Sequence, residues 1–246
     1  MQIIPAFVTQ NKCYQAGAPL TPRGIMLHSV GTPQPSAAVF ARSFNQYQPG
    51  GVSVCVHAFA QADGTVYQTL PWEMRGWHCG GSANSTHIGV EMIEPSAGMT
   101  RSEAAEQIAG TYRTVVELFA ELCKQYELDP AQDGVLIGHA EGHRRGAASN
   151  HADPELLWRT YDMGYTMDGF RRDVAEAMAK EDREEVPDMP RYDSVAEMPQ
   201  WARADAQRLI DRGALQGNTD GKLDVSEDML RTMIVCQRMV DEQKET

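Results

Sequence analysis

The sequence predicts an α/β fold, a central mixed sheet flanked by helices, followed by a small helical module. Three observations lead there. Short apolar or alternating segments of strand length are interleaved with longer stretches of helical period. Two of the strands are separated only by a turn at Asp63-Gly64, which makes them a hairpin. From Lys180 onward the composition changes, and two amphipathic helical stretches follow without an intervening strand pattern.

In chain order, the apolar run from Gly24 to Gly31 is bounded by glycines and reads as a buried strand. Pro35 and Ser36 open a helix through Val39, Phe40 and Phe44. Residues 52–60 alternate, with Val52, Val54, Val56 and Ala58 on one face and Ser53, Cys55, His57 and Phe59 on the other. The returning hairpin strand follows Gly64, and "HIGVEMIE" from His87 is a further strand. Ser102 to Tyr126 carries Ile108, Tyr112, Val115, Val116, Phe119 and Leu122 at helical spacing. "GVLIGHAEG" is a strand running into a loop, and Met167 to Ala179 is a closing helix behind Thr166. This first domain spans 1–179. Residues 180–194 are charged, carry two prolines and read as a linker. Residues 195–246 form the helical module, and 180–246 hold 16 acids and 10 bases against 18 and 12 in the longer segment before them.

Composition narrows the function. In 246 residues, 42% hydrophobic side chains exclude a disordered chain. A charged fraction of 23% and a mean hydropathy of −0.43 exclude an integral membrane protein. The balance of 22 basic to 34 acidic residues gives a net charge of −12, so no broad basic face is available for nucleic acid or anionic lipid. The N-terminus lacks a basic segment followed by a long apolar stretch, from which we expect synthesis in the cytoplasm without a signal peptide. Five scattered cysteines, an odd number, read as free thiols.

The chemistry-bearing residues are few. His28 and His139 each end a short apolar strand before a glycine-containing loop, a rigid platform that suits metal ligands. His151 and Asp153 stand two apart, braced by Pro154. Two imidazoles and one carboxylate make a set used by catalytic zinc. Glu91 interrupts an apolar strand on the face opposite Ile88, Val90 and Met92, where a carboxylate is costly without a role and is a candidate base. Plainer readings stand beside each of these. The histidines can be hydrogen-bonded structural residues, Asp153 can cap a helix beginning near Glu155, and Glu91 can pair with an arginine. Cys55, His57, His78 and Cys79 form a rival metal set without structural-finger spacing. His57 reads as a satisfied interior histidine, and His87 and His143 as surface residues.

Four segments, "GIMLHSVG", "VHAFAQADGTVYQTLPWEMRGWHCGG", "STHIGVEMIEP" and "GHAEGHRRGAASNHADP", resemble the type-2 N-acetylmuramoyl-L-alanine amidases in order and spacing over Ile25 to Trp158. That family includes phage endolysins and is related to the animal peptidoglycan-recognition proteins. The resemblance implies one zinc ion per chain on His28, His139 and Asp153, with Glu91 as the catalytic carboxylate. It places His151 where many members carry an oxyanion-steadying lysine, and Trp77 and His78 in the substrate groove. Some members carry a tyrosine where this chain has Val56. The implied substrate is peptidoglycan or a muropeptide, reached at the cell wall after release from the cytoplasm, with no membrane insertion. A non-catalytic peptidoglycan-binding module and a cytoplasmic wall-recycling amidase are the alternatives. The tail is similar to a single S-layer-homology module, with Ser226-Glu227 where wall-binding examples have Thr-Arg. It implies a wall-binding or oligomerising appendage, and Trp201, Leu209, Ile210, Met233 and Ile234 are the expected contacts between copies of a homo-oligomer.

Overall fold

The computed structural model describes residues 1–46, 54–184 and 190–242. The chain divides into two compact units, Met1–Lys180 and Glu181–Thr246. In the first, the elements run β1 (Gln2–Pro5), α1 (Lys12–Ala16), β2 (Gly24–Ser29), α2 (Ala37–Phe44), β3 (Ala58–Ala60), β4 (Thr65–Gln68), β5 (His87–Met92), α3 (Arg101–Gln125), β6 (Leu136–Gly138), α4 (His139–Arg144), α5 (Glu155–Thr160) and α6 (Met167–Glu184). The strands form one six-stranded sheet in the order β1-β4-β3-β5-β2-β6. Only the β3–β4 hairpin is antiparallel; the other pairings are parallel. The mixed α/β sheet expected from the sequence is the fold.

The pleat decides what each face carries. Ile25, Leu27, Ile88, Val90 and Leu136 point to one side, where they meet Ile108, Val115, Leu118 and Phe119 of α3 and Phe170 and Val174 of α6. Burying both faces of β2 is what its unbroken apolar run provides: Gly24 through His28 are all buried. On the other side, Phe59 packs against Phe40 and Phe44 of α2, and Met26 and Ile137 pack with Cys79 and Ala83.

α3 begins at a capping box. Thr100 Oγ1 accepts from the Glu103 N–H at 3.3 Å, and a Glu103 carboxylate oxygen accepts from the Thr100 N–H at 2.8 Å.

Several elements differ from the sequence reading. β1 was not expected: four residues ending in proline give too short a pattern, and only pairing along β4 at the sheet edge makes them a strand. The segment after β6 is a helix, α4, rather than a loop. Its Gly142 allows close packing, since a Cβ there would lie 2.7 Å from Met26 Cε. Of the alternating stretch 52–60, residues 52–53 lie outside the described residues, and the ladder proper is only Ala58–Ala60 with a bridge from Cys55 to Trp77. α6 continues to Glu184 through residues read as linker, because Lys, Glu and Arg have high helix propensity and need no apolar stripe to extend a helix. Residues 185–189 of that stretch lie outside the described residues.

The second unit contains β7 (Arg191–Tyr192), α7 (Gln200–Asp211), β8 (Val225–Ser226) and α8 (Glu227–Glu242). β7 and β8 pair antiparallel, a small sheet that the sequence did not reveal. Leu209 and Ile234, expected as contacts between copies, are 3% exposed in this unit's own core with Met198, Ala202 and Leu230, and Ile210 and Met233 pack against it. Those side chains are consumed by the unit's own core, because α7 and α8 turn them toward each other. Trp201 is exposed, with the Arg231 guanidinium 4.7 Å above its ring. All five cysteines are free, and among the described residues no helix is long and apolar enough to cross a membrane.

Replacing Thr100 with alanine removes the Oγ1 acceptor of the Glu103 N–H, leaves the bond from the residue-100 N–H to the Glu103 carboxylate in place, and should cost about 1 kcal/mol. Denaturant unfolding should show a lower midpoint at unchanged slope.

Candidate metal centre

Strand register assembles the site. On β2 and β5, His28 pairs directly with Glu91, and parallel partners share a face. On the other side of β2, Leu27 pairs with Gly138, so His139 emerges one position beyond, level with His28. Glu91, His28 and His139 therefore form a row across the C-terminal ends of three adjacent parallel strands, the usual place for a site in an α/β sheet.

His28 Nδ1 and His139 Nδ1 lie 3.0 Å apart. Asp153 joins them from the segment before α5, 3.2 Å from His28 Nδ1 and 3.5 Å from His139 Nδ1. Its Oδ2 also accepts from the Ser29 N–H at 3.3 Å. The α5 N-cap is Pro154, without a side-chain bond, so Asp153 is a member of this cluster and not a helix cap.

Hydrogen-bond direction fixes the tautomers. His78 Nε2 faces the His87 carbonyl oxygen at 3.2 Å. A carbonyl only accepts, so that nitrogen carries the proton and His78 Nδ1 is an acceptor. His28 Nε2, 2.9 Å from His78 Nδ1, must then be the donor, which leaves His28 Nδ1 a bare lone pair. On the other side, the Ser149 hydroxyl donates to the Cys79 carbonyl at 3.0 Å. Its oxygen accepts from His139 Nε2 at 3.2 Å, so His139 Nδ1 is bare as well. Two lone pairs and a carboxylate, all within 4.8 Å of one another, repel unless a cation lies among them. Two imidazole nitrogens and one carboxylate oxygen fit zinc with a position left for solvent or substrate.

The electrostatics agree. Burial lowers the His28 pKa, against the opposing pull of Asp153, and favours the neutral imidazole that a metal requires. Burial alone would raise the Asp153 carboxyl. Where either imidazole takes up a further proton on Nδ1, its hydrogen bond and charge outweigh burial, and His139 and His28 hold Asp153 well below the usual carboxylate range. Glu91 is pushed well above its ordinary value, first by burial and then by the charges of Asp153 and Glu94. Its Oε2 is sealed from solvent without a partner, so no arginine neutralises it. His151 is exposed and stacks on His139 with ring centroids 4.7 Å apart.

These residues line a cleft of about 900 Å³ that also includes Trp77, His78, Asn84, Glu94, Leu156 and Tyr161. His28, His139, Asp153, Glu91, His151, Trp77 and His78 thus meet in one place. The rival metal set does not assemble. Among the described residues the cluster of His28, His139 and Asp153 is the one with metal-ligand proximity, and the Cys79 thiol donates to Asn84 Oδ1 at 3.2 Å.

The sequence profile of the N-acetylmuramoyl-L-alanine amidases matches residues 18–156, more than half of the chain. The chain belongs to that family. As a member the protein is an enzyme, an N-acetylmuramoyl-L-alanine amidase. No curated protein matches it significantly. Among solved structures, the Staphylococcus aureus hydrolase AmiA in complex with its ligand is similar at a TM-score of 0.58 and 19% identity, over 76% of this chain and 88% of that one. An endolysin mutant from Bacillus subtilis is similar at 0.51 and 20%, over 71% and 99%. PlyL is similar at 0.52 and 15%, over 71% and 97%. At these identities the three share the amidase fold.

Three supporting roles in the amidase escaped sequence reasoning. Ser149 aims His139, and the His87 carbonyl orients His78, which in turn aims His28. Gly89 makes room for that chain, since a Cβ there would lie 2.5 Å from His78 Cγ. A glycine breaking an otherwise apolar strand was the available signal. His87 is not a surface residue as expected; it is half-buried, with Nε2 donating to the Gly134 carbonyl at 3.0 Å. His57 is fully buried as expected, its Nδ1 accepting from the Gly89 N–H at 2.9 Å and its Nε2 donating to the Met74 carbonyl at 2.8 Å.

Gly89→Ala and Ser149→Ala should each weaken zinc affinity by about 10–100-fold, measured by chelator competition. Burial lowers the His57 pKa from 6.5 to about 4. Between those values the unfolded chain binds more protons, so the stability supplied by neutral His57 is complete above the unfolded pKa. It is lost as pH falls through the folded one. Unfolding free energies should fall by about 3 kcal/mol over this window, with a shallower slope in His57→Gln.

Proposed function

We propose that the protein is a zinc-dependent amidase of the endolysin type, cutting the bond between N-acetylmuramic acid and the L-alanine of the peptidoglycan stem. The observation that carries this reading is the pair of Nδ1 atoms and the Asp153 carboxylate converging in one cleft with Glu91, whose Oε2 is sealed from solvent without a partner. The fold is shared with a Bacillus subtilis endolysin, and a lytic role at the cell wall after release from the cytoplasm is part of this proposal.

His28, His139 and Asp153 would hold the zinc, which when bound polarises a carbonyl and acidifies a water. Glu91 stands next to His28 across the β2–β5 ladder. It takes a proton from the attacking water and delivers it to the departing amine. A carboxyl raised well above its ordinary value is a stronger base than an exposed one and holds a proton better in the second half of the reaction. His151, exposed at the cleft and stacked on His139, donates to the oxyanion that forms at the scissile carbonyl. Trp77 borders the cleft on a backbone pinned by its bridge to Cys55. A silent binding module would not need Glu91 in an apolar strand, and the filled ligand set favours turnover.

Mass spectrometry of digested, purified peptidoglycan should show new L-alanine amino termini with intact sugar strands, and a chelator should abolish them. Products cut elsewhere would overturn the reading. Glu91→Gln should keep stoichiometric zinc while turnover falls about a hundredfold or more; near-normal turnover would remove Glu91 from the chemistry. Asp153→Ala should lose zinc and activity together.

A further inference from the structure

None of the five thiols takes part in the hydrolytic chemistry, yet two of them meet. Cys13 on α1 and Cys55 ahead of β3 are buried in one small apolar cluster with Val8 and Leu70. The Cys55 thiol donates a hydrogen bond to the Cys13 sulfur, and the Cys13 thiol donates in turn to the Arg75 carbonyl at 3.3 Å. The other cysteines stand apart: Cys123 lies in the main core, Cys79 packs with Met26, and Cys236 is exposed in the second unit. A lone buried cysteine serves as a small apolar side chain. A facing pair differs, because a disulfide needs two sulfurs that already meet. The backbone holds both partners in place. Asn11 Oδ1 accepts from the Cys13 N–H at 2.9 Å, and Asn11 Nδ2 donates to the Val54 carbonyl at 3.1 Å. The Cys55 N–H donates to the Trp77 carbonyl at 3.1 Å, and the Trp77 N–H donates back to the Cys55 carbonyl at 2.9 Å.

We propose that Cys13 and Cys55 are a redox modification site that closes into an intramolecular disulfide when the protein meets a disulfide oxidant such as oxidised glutathione. α1 has only five residues, with Lys12, Gln15 and Ala16 exposed, so it opens at lower cost than the sheet and admits the oxidant. Cys13 is the first nucleophile. Its thiol is held below the ordinary value by the hydrogen bond from Cys55 and, against burial, by the Arg75 charge, whereas the same bond and burial push Cys55 up. The Cys13 thiolate attacks one sulfur of the oxidant, the oxidant's S–S bond breaks, and one small thiol leaves. Cys55 then loses its proton and attacks the Cys13 sulfur of the mixed disulfide, expelling the second small thiol. Two protein thiols are oxidised and one small disulfide is reduced, so protons and electrons balance. The cross-link pins α1 to the backbone of Cys55, which carries Val54 beside it and bridges Trp77, both on the cleft wall. On the lytic reading above, release from a reducing cytoplasm would close the bond; the site itself does not depend on that reading.

The test uses full-length protein, reduced, desalted and incubated without denaturant in oxidised glutathione, then quenched, unfolded and alkylated for peptide mass mapping. The reduced protein should carry alkyl groups on all five cysteines. The oxidised protein should keep them on Cys79 and Cys123, with Cys13 and Cys55 joined in a linked peptide that dithiothreitol separates. Closing so long a loop should raise the thermal-unfolding midpoint by about 5–10 °C. Cys55→Ala should stop the reaction at a mixed disulfide on Cys13, and Cys13→Ala should leave Cys55 open to alkylation. Oxidised wild type in which Cys13 and Cys55 both remain alkylated would overturn the proposal, as would their bonding to other cysteines or to glutathione in place of each other. A link that forms only in denaturant, or that fails to raise the midpoint, would also overturn it, because the native fold would then oppose the bond. The mapping on wild-type protein decides even where a variant fails to fold.

Discussion

The site depends on the register of three parallel strands. β2 is clamped between β5 and β6, and its pairings set His28 beside Glu91 and one step past Gly138. Side-chain direction alternates with period two, so a slip of one residue would turn His28 into the helix-covered core and Leu27 into the cleft. The hydrophobic cost of that exchange is what keeps the register. Ile25, Leu27, Ile88 and Val90 are all fully buried against α3. At about 1.5–3 kcal/mol for each large apolar side chain, the core outweighs any single polar contact at the site.

A second layer of control lies in hydrogen-bond direction. Two main-chain carbonyls, of His87 and Cys79, can only accept, and through His78 and Ser149 they dictate which nitrogen of His28 and His139 carries a proton. In their neutral form both imidazoles therefore turn a bare Nδ1 toward the Asp153 carboxylate. Glycines make these chains possible by letting backbone and rings approach closely, as Gly89 does beneath His78. The buried histidines are therefore one connected system in which the ligands, their orienting groups and the sheet share atoms.

Electrostatics divides the acids of the cleft by environment. Asp153, surrounded by imidazoles, is held ionised far below its ordinary range, whereas Glu91, buried beside other acids, is raised well above it. Carboxyls of similar intrinsic strength are thus pushed in opposite directions, which suits one to hold a cation and the other to carry a proton. Glu94, tied to the Gly31 loop at the rim, contributes charge without taking part in either task.

Much of this was legible in the sequence. The apolar run of β2, the alternation leading into the β3–β4 hairpin and the long stripe of α3 are local patterns, and they predicted the α/β class. His28, His139, Asp153 and Glu91 stood out because polar groups at the ends or within apolar strands are costly without a purpose. What the sequence could not carry was anything decided by pairing between distant segments. β1 is a strand by pairing with the edge that β4 offers, and α4 packs on Met26 across Gly142. Leu209, Ile210, Met233 and Ile234 of the tail turned inward to its own core. Likewise His78 and Ser149, 50 and 10 residues from the ligands they orient, have no local signature, and His87 looked like a surface residue until its ring met the Gly134 carbonyl. Local periodicity determines which residues are buried and on what element. The proton positions and the convergence of the ligands are set by contacts across the sheet, which a one-dimensional pattern does not encode.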